Sequence, residues 1–330
     1  MRAWRINELG HPSTALSLED VPMPSPGPGQ VLIRVEAGNV NFADILLCQG
    51  IYQDRPKAPF TPGLETSGVI EVCGPGVNLG LGTRIAGMAA LPSGGYADYA
   101  LVRSSTALVT PDDVPGPVAT VLYSTFQTSH VGLHHRAHLQ SGEWLLVHAG
   151  ASGVGAAAVQ LGVAAGAQVI ATAGGPERMS HCRTLGAHHV IDYRSEDLYA
   201  RVMEITDGHG VDVAFDPVGG EIADITRRLM AWEGRYLVIG FASGDQSIVP
   251  AVHVLLKNYS VIGLHWGVYV EHGGRAVIEA AHTDLVRLYR SGQIRPEIAV
   301  VPLAEVRSAL EAVESRQVTG RLVVVPSLGR

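Results

Sequence analysis

Cysteine is scarce: Cys48, Cys73 and Cys182 are the only three in 330 residues, an odd number with no C-x-x-C pair. That excludes a disulfide framework and a four-cysteine zinc lobe, and it suits a reducing, cytoplasmic setting. A surplus of positive charge is also lacking. Twenty-four Lys+Arg against 31 Asp+Glu leave a formal charge of −7, too few cations to neutralise a phosphate backbone, so nucleic acid is not expected as a partner. The opening MRAWRINELG has no apolar stretch of the signal-peptide kind. The longest run without a charged residue lies between Glu143 and Glu177 and is interrupted by Gly150, Gly153, Gly155, Gly162 and Gly166. Its apolar blocks fall well short of the roughly 20 residues a bilayer span needs, so no membrane partner is expected. Glycine, by contrast, is plentiful at 39 residues, which points to many tight turns and close backbone approaches.

The chain changes texture along its length. Its first hundred residues read as short strands set between breakers: Gln30–Glu36 after a proline-spaced loop, Thr66–Val72 before Gly74-Pro-Gly76, and Gly94–Val102. From about residue 123 strands and helices alternate, the pattern of a parallel α/β sheet. Six strands are expected at 143–149, 167–173, 190–193, 211–216, 235–240 and 261–264, with helices over 154–165 and 223–232. Near the end, Leu303, Val306, Leu310 and Val313 share one helical face, and 318–326 reads as a last strand. A β-rich segment at each end of an α/β segment suggests an inserted nucleotide-binding domain.

The strongest chemical signal is Leu145-Leu-Val-His-Ala-Gly-Ala-Ser-Gly-Val-Gly155. An apolar strand enters a glycine turn that opens an alanine-rich helix. Glycines let backbone approach a pyrophosphate, whose charge the helix N-terminus stabilises. NAD-specific sites place an acid at the end of the next strand, to hold the ribose 2′-hydroxyl. Here that strand ends Ala171-Thr-Ala-Gly-Gly175, with no acid, and Arg178 follows. An arginine there accommodates a 2′-phosphate, so NADPH is the expected cofactor.

With these residues in hand, the chain resembles the medium-chain dehydrogenase/reductase superfamily, and within it the zinc-free NADPH:quinone oxidoreductases of the zeta-crystallin-like branch. The resemblance runs over almost the whole chain. It rests on Gly38-Asn-Val-Asn-Phe-Ala-Asp44, Gly50-Ile-Tyr52, Pro62-Gly-Leu-Glu65 with Ser67-Gly68, the glycine turn, Val190-Ile-Asp-Tyr193 and Asp216-Pro-Val-Gly-Gly220. Further on it rests on Gly240-Phe-Ala-Ser-Gly244, Leu255-Leu-Lys-Asn258, His265-Trp-Gly267 and Glu314-Ser-Arg-Gln-Val-Thr-Gly320. The resemblance implies an α/β protein with a GroES-like β-rich catalytic domain over 1–122 and 266–330. A Rossmann, doubly wound parallel-sheet domain binding NADP(H) would occupy 123–265, and the usual assembly is a homodimer.

The resemblance also implies which residues act. Asn41 stands where zinc-dependent relatives place a cysteine ligand and Leu64 where they place a histidine, and residues 122–128 offer no third cysteine, so no metal is expected. Asn41 and Tyr52 match the family's catalytic pocket, and each can donate a hydrogen bond to a carbonyl oxygen. Asn41, Thr128, Ser152, Gly153, Val154, Gly174, Arg178, Tyr193, Phe241, Ala242, Ser243, His265 and Trp266 match positions that line the cofactor. Asp44 would order its loop rather than react. The implied substrate is a quinone or another α,β-unsaturated carbonyl, whose conjugation already delocalises the arriving charge. Two alternatives stay open: an enoyl-thioester reductase of polyketide or fatty-acid type, and a non-catalytic NADPH-binding protein.

Other constellations lead nowhere. His134 and His138, at the spacing of one helical turn, lack a third ligand of the kind a zinc site requires. Ser152 is not in the G-x-S-x-G elbow of hydrolases, and Cys182 beside His181 is a pair pointing different ways on a helix.

Overall fold

Six parallel strands make up one sheet, in the spatial order His189–Asp192, Gln168–Ala173, Trp144–Val147, Val211–Asp216, Met230–Val238, Ser260–Gly263. Numbered along the chain this is 3-2-1-4-5-6, the doubly wound order, and its direction reverses between the strands Trp144–Val147 and Val211–Asp216. The structure is a computed structural model that describes residues 1–315 and 317–328. Arg316, inside the Glu314–Gly320 motif, lies outside the described residues.

Small residues set the close packing of this sheet. In the helix Gly153–Ala164, a Cβ on Gly162 would stand 2.4 Å from Leu145 Cδ2. The helix therefore sits tightly on the strand that feeds the glycine turn.

This sheet belongs to the compact unit Thr125–Arg295, and the second unit is Met1–Ser124 with Pro296–Arg330. The return to the N-terminal unit begins at Pro296, not at Trp266 as the sequence suggests. The helix Arg275–Arg290 is the reason: it buries Ile278, Ala281, Leu285 and Leu288 and packs against the helix Gln127–His130 of its own unit.

In the other unit, a seven-stranded sheet is organised around Gln30–Asn39. This strand pairs antiparallel with Glu65–Cys73, Tyr99–Arg103 and Arg321–Val325. The last pairing places Val323 opposite Asn39 and Val324 opposite Gly38. The C-terminal strand thereby reaches the start of the helix Phe42–Gln49.

Two local expectations shift. The strand expected from Gly94 starts only at Tyr99, because Gly94 and Gly95 form a close-packed turn: a Cβ on Gly94 would lie 2.4 Å from Pro62 O. The expected helix through Trp232 ends at Leu229, and the chain enters the strand at Met230. There Trp232 is exposed and Glu233 has φ 59°.

Candidate active site

In the N-terminal unit a buried carboxylate organises the neighbourhood of Asn41. Asp44 is fully buried, and it accepts from Asn41 N (3.0 Å), Gly63 N (3.2 Å), Leu64 N (3.0 Å) and Tyr96 Oη (2.9 Å). Burial raises its pKa to about 6, against the pull of the Leu64 N–H and the Tyr96 hydroxyl. Asp44 thus ties the start of the helix to the Pro62–Glu65 turn. Gly63 fits that turn because its φ is +99° and a Cβ would strike Tyr96 N at 2.7 Å.

Asn41 is the N-cap of the helix, with extended backbone, and forms a capping box with Asp44. Its Oδ1 accepts from Arg321 Nη2. Its Nδ2 is buried and has no partner among the described residues. Beside it, Asn39 Nδ2 donates to Glu65 Oε2 at 2.7 Å. Tyr52 is half-buried against the same apolar cluster as Ile45 and Leu64. Burial, and then the charges of Glu65 and Asp44, push its phenol up to about 12, so at neutral pH it is a donor. Leu64 is buried and offers no ligand atom.

The second unit holds the glycine turn at the carboxyl end of the strand Trp144–Val147. Ser152 caps the following helix by accepting from Gly155 N at 3.2 Å. A Cβ on Gly155 would lie 2.1 Å from Ala149 O, and Ala149 itself has φ 49°. Only a glycine at 155 lets the turn close this tightly. Thr128 lies on the short helix Gln127–His130, which is tied to the turn by Ser129 Oγ donating to Val154 O at 2.8 Å.

Across the reversal point, Asp216 accepts from Val218 N (2.7 Å) and Gly219 N (3.0 Å) and so shapes the Asp216–Gly220 loop. The Phe241–Ser243 segment docks on that loop through Ala242 N to Pro217 O (3.1 Å) and Ser243 N to Val218 O (3.0 Å). Ser152, Gly153, Val154, Phe241, Ala242 and Ser243 therefore all stand at the carboxyl edge of the two strands that flank the reversal.

At the end of the next strand, Gly174 is covered by Tyr193 and Arg194: a Cβ there would meet Tyr193 Oη and Arg194 Nε at 2.7 Å each. Arg178 is two residues into the helix Pro176–Thr184. His265 and Trp266 follow the edge strand Ser260–Gly263, three places from Trp144–Val147 in the sheet.

The histidine expectation is corrected. His134 lies in the π-helix Val131–Arg136, whereas His138 stands beyond it with φ 49°, so the two do not share a helix face. Burial, and then His130, lower the His134 pKa to about 4. Among the described residues no three His, Cys, Asp or Glu side chains cluster as a metal site would require.

Arg194, Arg321 and Tyr96 are not among the residues that the sequence motifs point to. Arg194 follows Tyr193 directly and Arg321 follows the Glu314–Gly320 motif directly; adjacency to a motif was the available signal.

Comparison with known proteins follows the same two-part division. The alcohol dehydrogenase GroES-like domain family matches residues 27–112, and the zinc-binding dehydrogenase family matches 153–283. Quinone oxidoreductase-like protein 2 homolog of Nematostella vectensis is 35% identical over 328 residues, covering 98% of this chain and 88% of that protein. The quinone oxidoreductase of Escherichia coli, solved in complex with NADPH, superposes with a TM-score of 0.88 at 26% identity, over 99% of this chain and 100% of that one. A mycocerosic acid synthase-like polyketide synthase of Mycobacterium tuberculosis is 32% identical over 312 residues, 92% of this chain but only 14% of the synthase. The fold, the two matched families and a full-length relative at this identity agree: the chain is a member of the medium-chain dehydrogenase/reductase family, in its zinc-free, quinone oxidoreductase-like branch.

Proposed function

We propose that the chain is an NADPH-dependent reductase that passes a hydride to a quinone or other α,β-unsaturated carbonyl without a metal. The observation that carries this is the amide of Asn41. Its Nδ2 is a buried donor with no partner among the described residues, at the position where zinc-dependent relatives place a metal ligand. A buried, unpaired N–H is costly unless a ligand completes it. A carbonyl oxygen gathering negative charge is such a ligand. Tyr52, held protonated by burial, is the second donor we assign.

NADPH, when bound, supplies the hydride. The chain's residues fit it. Gly155 lets the turn close tightly against Ala149 O, and Ser152, Gly153 and Val154 open a helix whose N-terminus favours a pyrophosphate. Phe241, Ala242 and Ser243 border the reversal point, where dinucleotides bind in this sheet order. We place the adenosine 2′-phosphate against Tyr193 and Arg194, with Arg178 within the same turn. Thr128, His265 and Trp266 are assigned to the cofactor on family position.

The test is NADPH oxidation by chelator-treated protein with an ortho-quinone, an enone and a crotonyl thioester, with NADH as the matched control. Chelator-insensitive quinone turnover, with NADPH preferred by roughly 10-fold or more, is expected from one charge-assisted phosphate contact. NADPH binding without turnover of any acceptor would sink the reading. The polyketide synthase match favours one second reading, enoyl-thioester reduction, and a strong preference for the thioester would establish it.

We also propose a homodimer formed through the edge strand Ser260–Gly263. Among the described residues no further strand pairs with that edge, and its neighbours are apolar and exposed: Leu255 at 75%, Leu256 at 71% and Ile248 at 78%. The helix Ala251–Lys257 has no buried residue. An uncovered edge beside an apolar patch is a liability that a two-fold partner removes. Light scattering after size exclusion is expected to show a dimer, and Leu255→Asp with Val261→Asp a monomer. A monomeric wild type at tens of micromolar would refute the interface.

A further inference from the structure

The register of the C-terminal strand brings a cation to Asn41. With Val323 opposite Asn39, and Val40 N donating to Leu322 O at 3.0 Å, the next residue pair along this antiparallel ladder is Arg321 and Asn41. Arg321 Nη2 donates to Asn41 Oδ1. A guanidinium has five N–H donors and no acceptor, so the amide atom facing it must be the oxygen. The orientation of an asparagine amide is ordinarily ambiguous between its two ends. Here a donor-only neighbour removes the ambiguity and turns Nδ2 away from Arg321. The helix start favours the same orientation: in the capping box its N–H donors face the oxygen end of the Asn41 amide, while Asp44 takes the Asn41 backbone N–H. Burial lowers the Arg321 pKa, and the nearby charges of Glu65 and Asp44 pull the other way, toward the charged guanidinium.

We propose that Arg321 is a positioning residue for carbonyl reduction: by donating to Asn41 Oδ1 it locks the amide with Nδ2 presented to the substrate oxygen. A charge-assisted bond to the amide oxygen also polarises the group and strengthens its N–H as a donor. The proposal rests on the reading of Asn41 as the carbonyl donor. It adds that the donor's direction is fixed from the far end of the chain, by a residue that need not touch the substrate.

The experiment compares wild type, Asn41→Ala, Arg321→Met and the double variant, with an ortho-quinone at saturating NADPH. NADPH affinity is read separately from quenching of tryptophan fluorescence. Arg321→Met is expected to lower kcat by about 10-fold or more, part of the roughly 100-fold that losing an oxyanion donor outright costs, with NADPH Kd changed by less than about twofold. Because Arg321 acts through Asn41, the double variant is expected to be no slower than Asn41→Ala alone. Arg321→Lys keeps a donor-only cation and is expected to recover most of the lost kcat.

Additive losses in the double variant would overturn the proposal. So would an Arg321→Met protein that binds NADPH poorly but turns over normally when saturated, which would assign Arg321 to the cofactor. If Asn41→Ala leaves kcat intact, the carbonyl-donor reading fails and this proposal fails with it. If Asn41→Ala is slow while Arg321→Met is normal, only the proposal fails. Should Arg321→Met not fold, Arg321→Gln serves: its amide can donate or accept, so the lock is lost, and wild-type kcat in that variant would be the refutation.

Discussion

Asp44→Ala is expected to lower the unfolding free energy by on the order of 4 kcal/mol, because one substitution strands several buried donors at once. Asn41 N, Gly63 N, Leu64 N and Tyr96 Oη all donate to this carboxylate. In a two-domain chain of this size the melting transition of the affected unit should fall by roughly 10 °C. Asp44→Asn should lose less, since its amide keeps one acceptor oxygen.

A pH test separates the carboxylate's charge from its shape. Burial raises the Asp44 pKa to about 6, above the roughly 3.9 of an unfolded aspartate. A raised carboxyl pKa means that the folded state binds its proton more tightly than the unfolded chain does. The stability this contributes is fully present below about pH 4 and is lost as pH rises through about 6. Two pKa units correspond to on the order of 3 kcal/mol. Urea unfolding from pH 4 to pH 8 should therefore show wild type losing ground to Asp44→Asn across that window, then running parallel above it. Curves parallel throughout would remove Asp44 as the titrating group.

This network also shows what could be read from sequence. Gly38–Asp44 and Pro62–Glu65 were visible as motifs, and the loop-ordering role assigned to Asp44 is what its four donors perform. The glycine turn is legible for a local reason: strand, turn and helix are contiguous, and Gly155 is dictated by Ala149 O, six residues earlier in the same turn, not by a distant partner. Contacts set by strand register were not legible. Arg321 meets Asn41 only because Val323 pairs with Asn39, and Arg194 covers Gly174 only because His189–Asp192 pairs in register with Gln168–Ala173. The misplaced return at Trp266 has a similar cause. The apolar face of Arg275–Arg290 is evident in sequence, but not which sheet it covers. Met230 was drawn into the preceding helix because Met-Ala-Trp continues a helical composition, and tertiary pairing with Val211 decided otherwise.

The same register leads to the largest expected change in specificity. Gly174→Asp places a carboxylate where Tyr193 Oη and Arg194 Nε crowd the missing Cβ. Both are the ends of flexible side chains and can give way, so the fold should persist. The introduced carboxylate would pair with Arg194, repel a 2′-phosphate, and supply the acceptor for a ribose 2′-hydroxyl that NAD-specific sites use. Loss of a charge-assisted contact together with like-charge repulsion is expected to lower kcat/KM for NADPH by roughly 100-fold or more, while NADH improves. Arg194→Ala alone should raise the NADPH KM about 10-fold with little effect on NADH. Arg178→Ala is the comparison that apportions the phosphate between the two arginines, and the larger loss is expected at Arg194, whose guanidinium already lies over Gly174. If Gly174→Asp left the NADPH-to-NADH ratio unchanged in a folded protein, the 2′-phosphate could not sit at this turn. The absence of an acid after Ala173 would then reflect helix entry at Pro176 rather than cofactor choice.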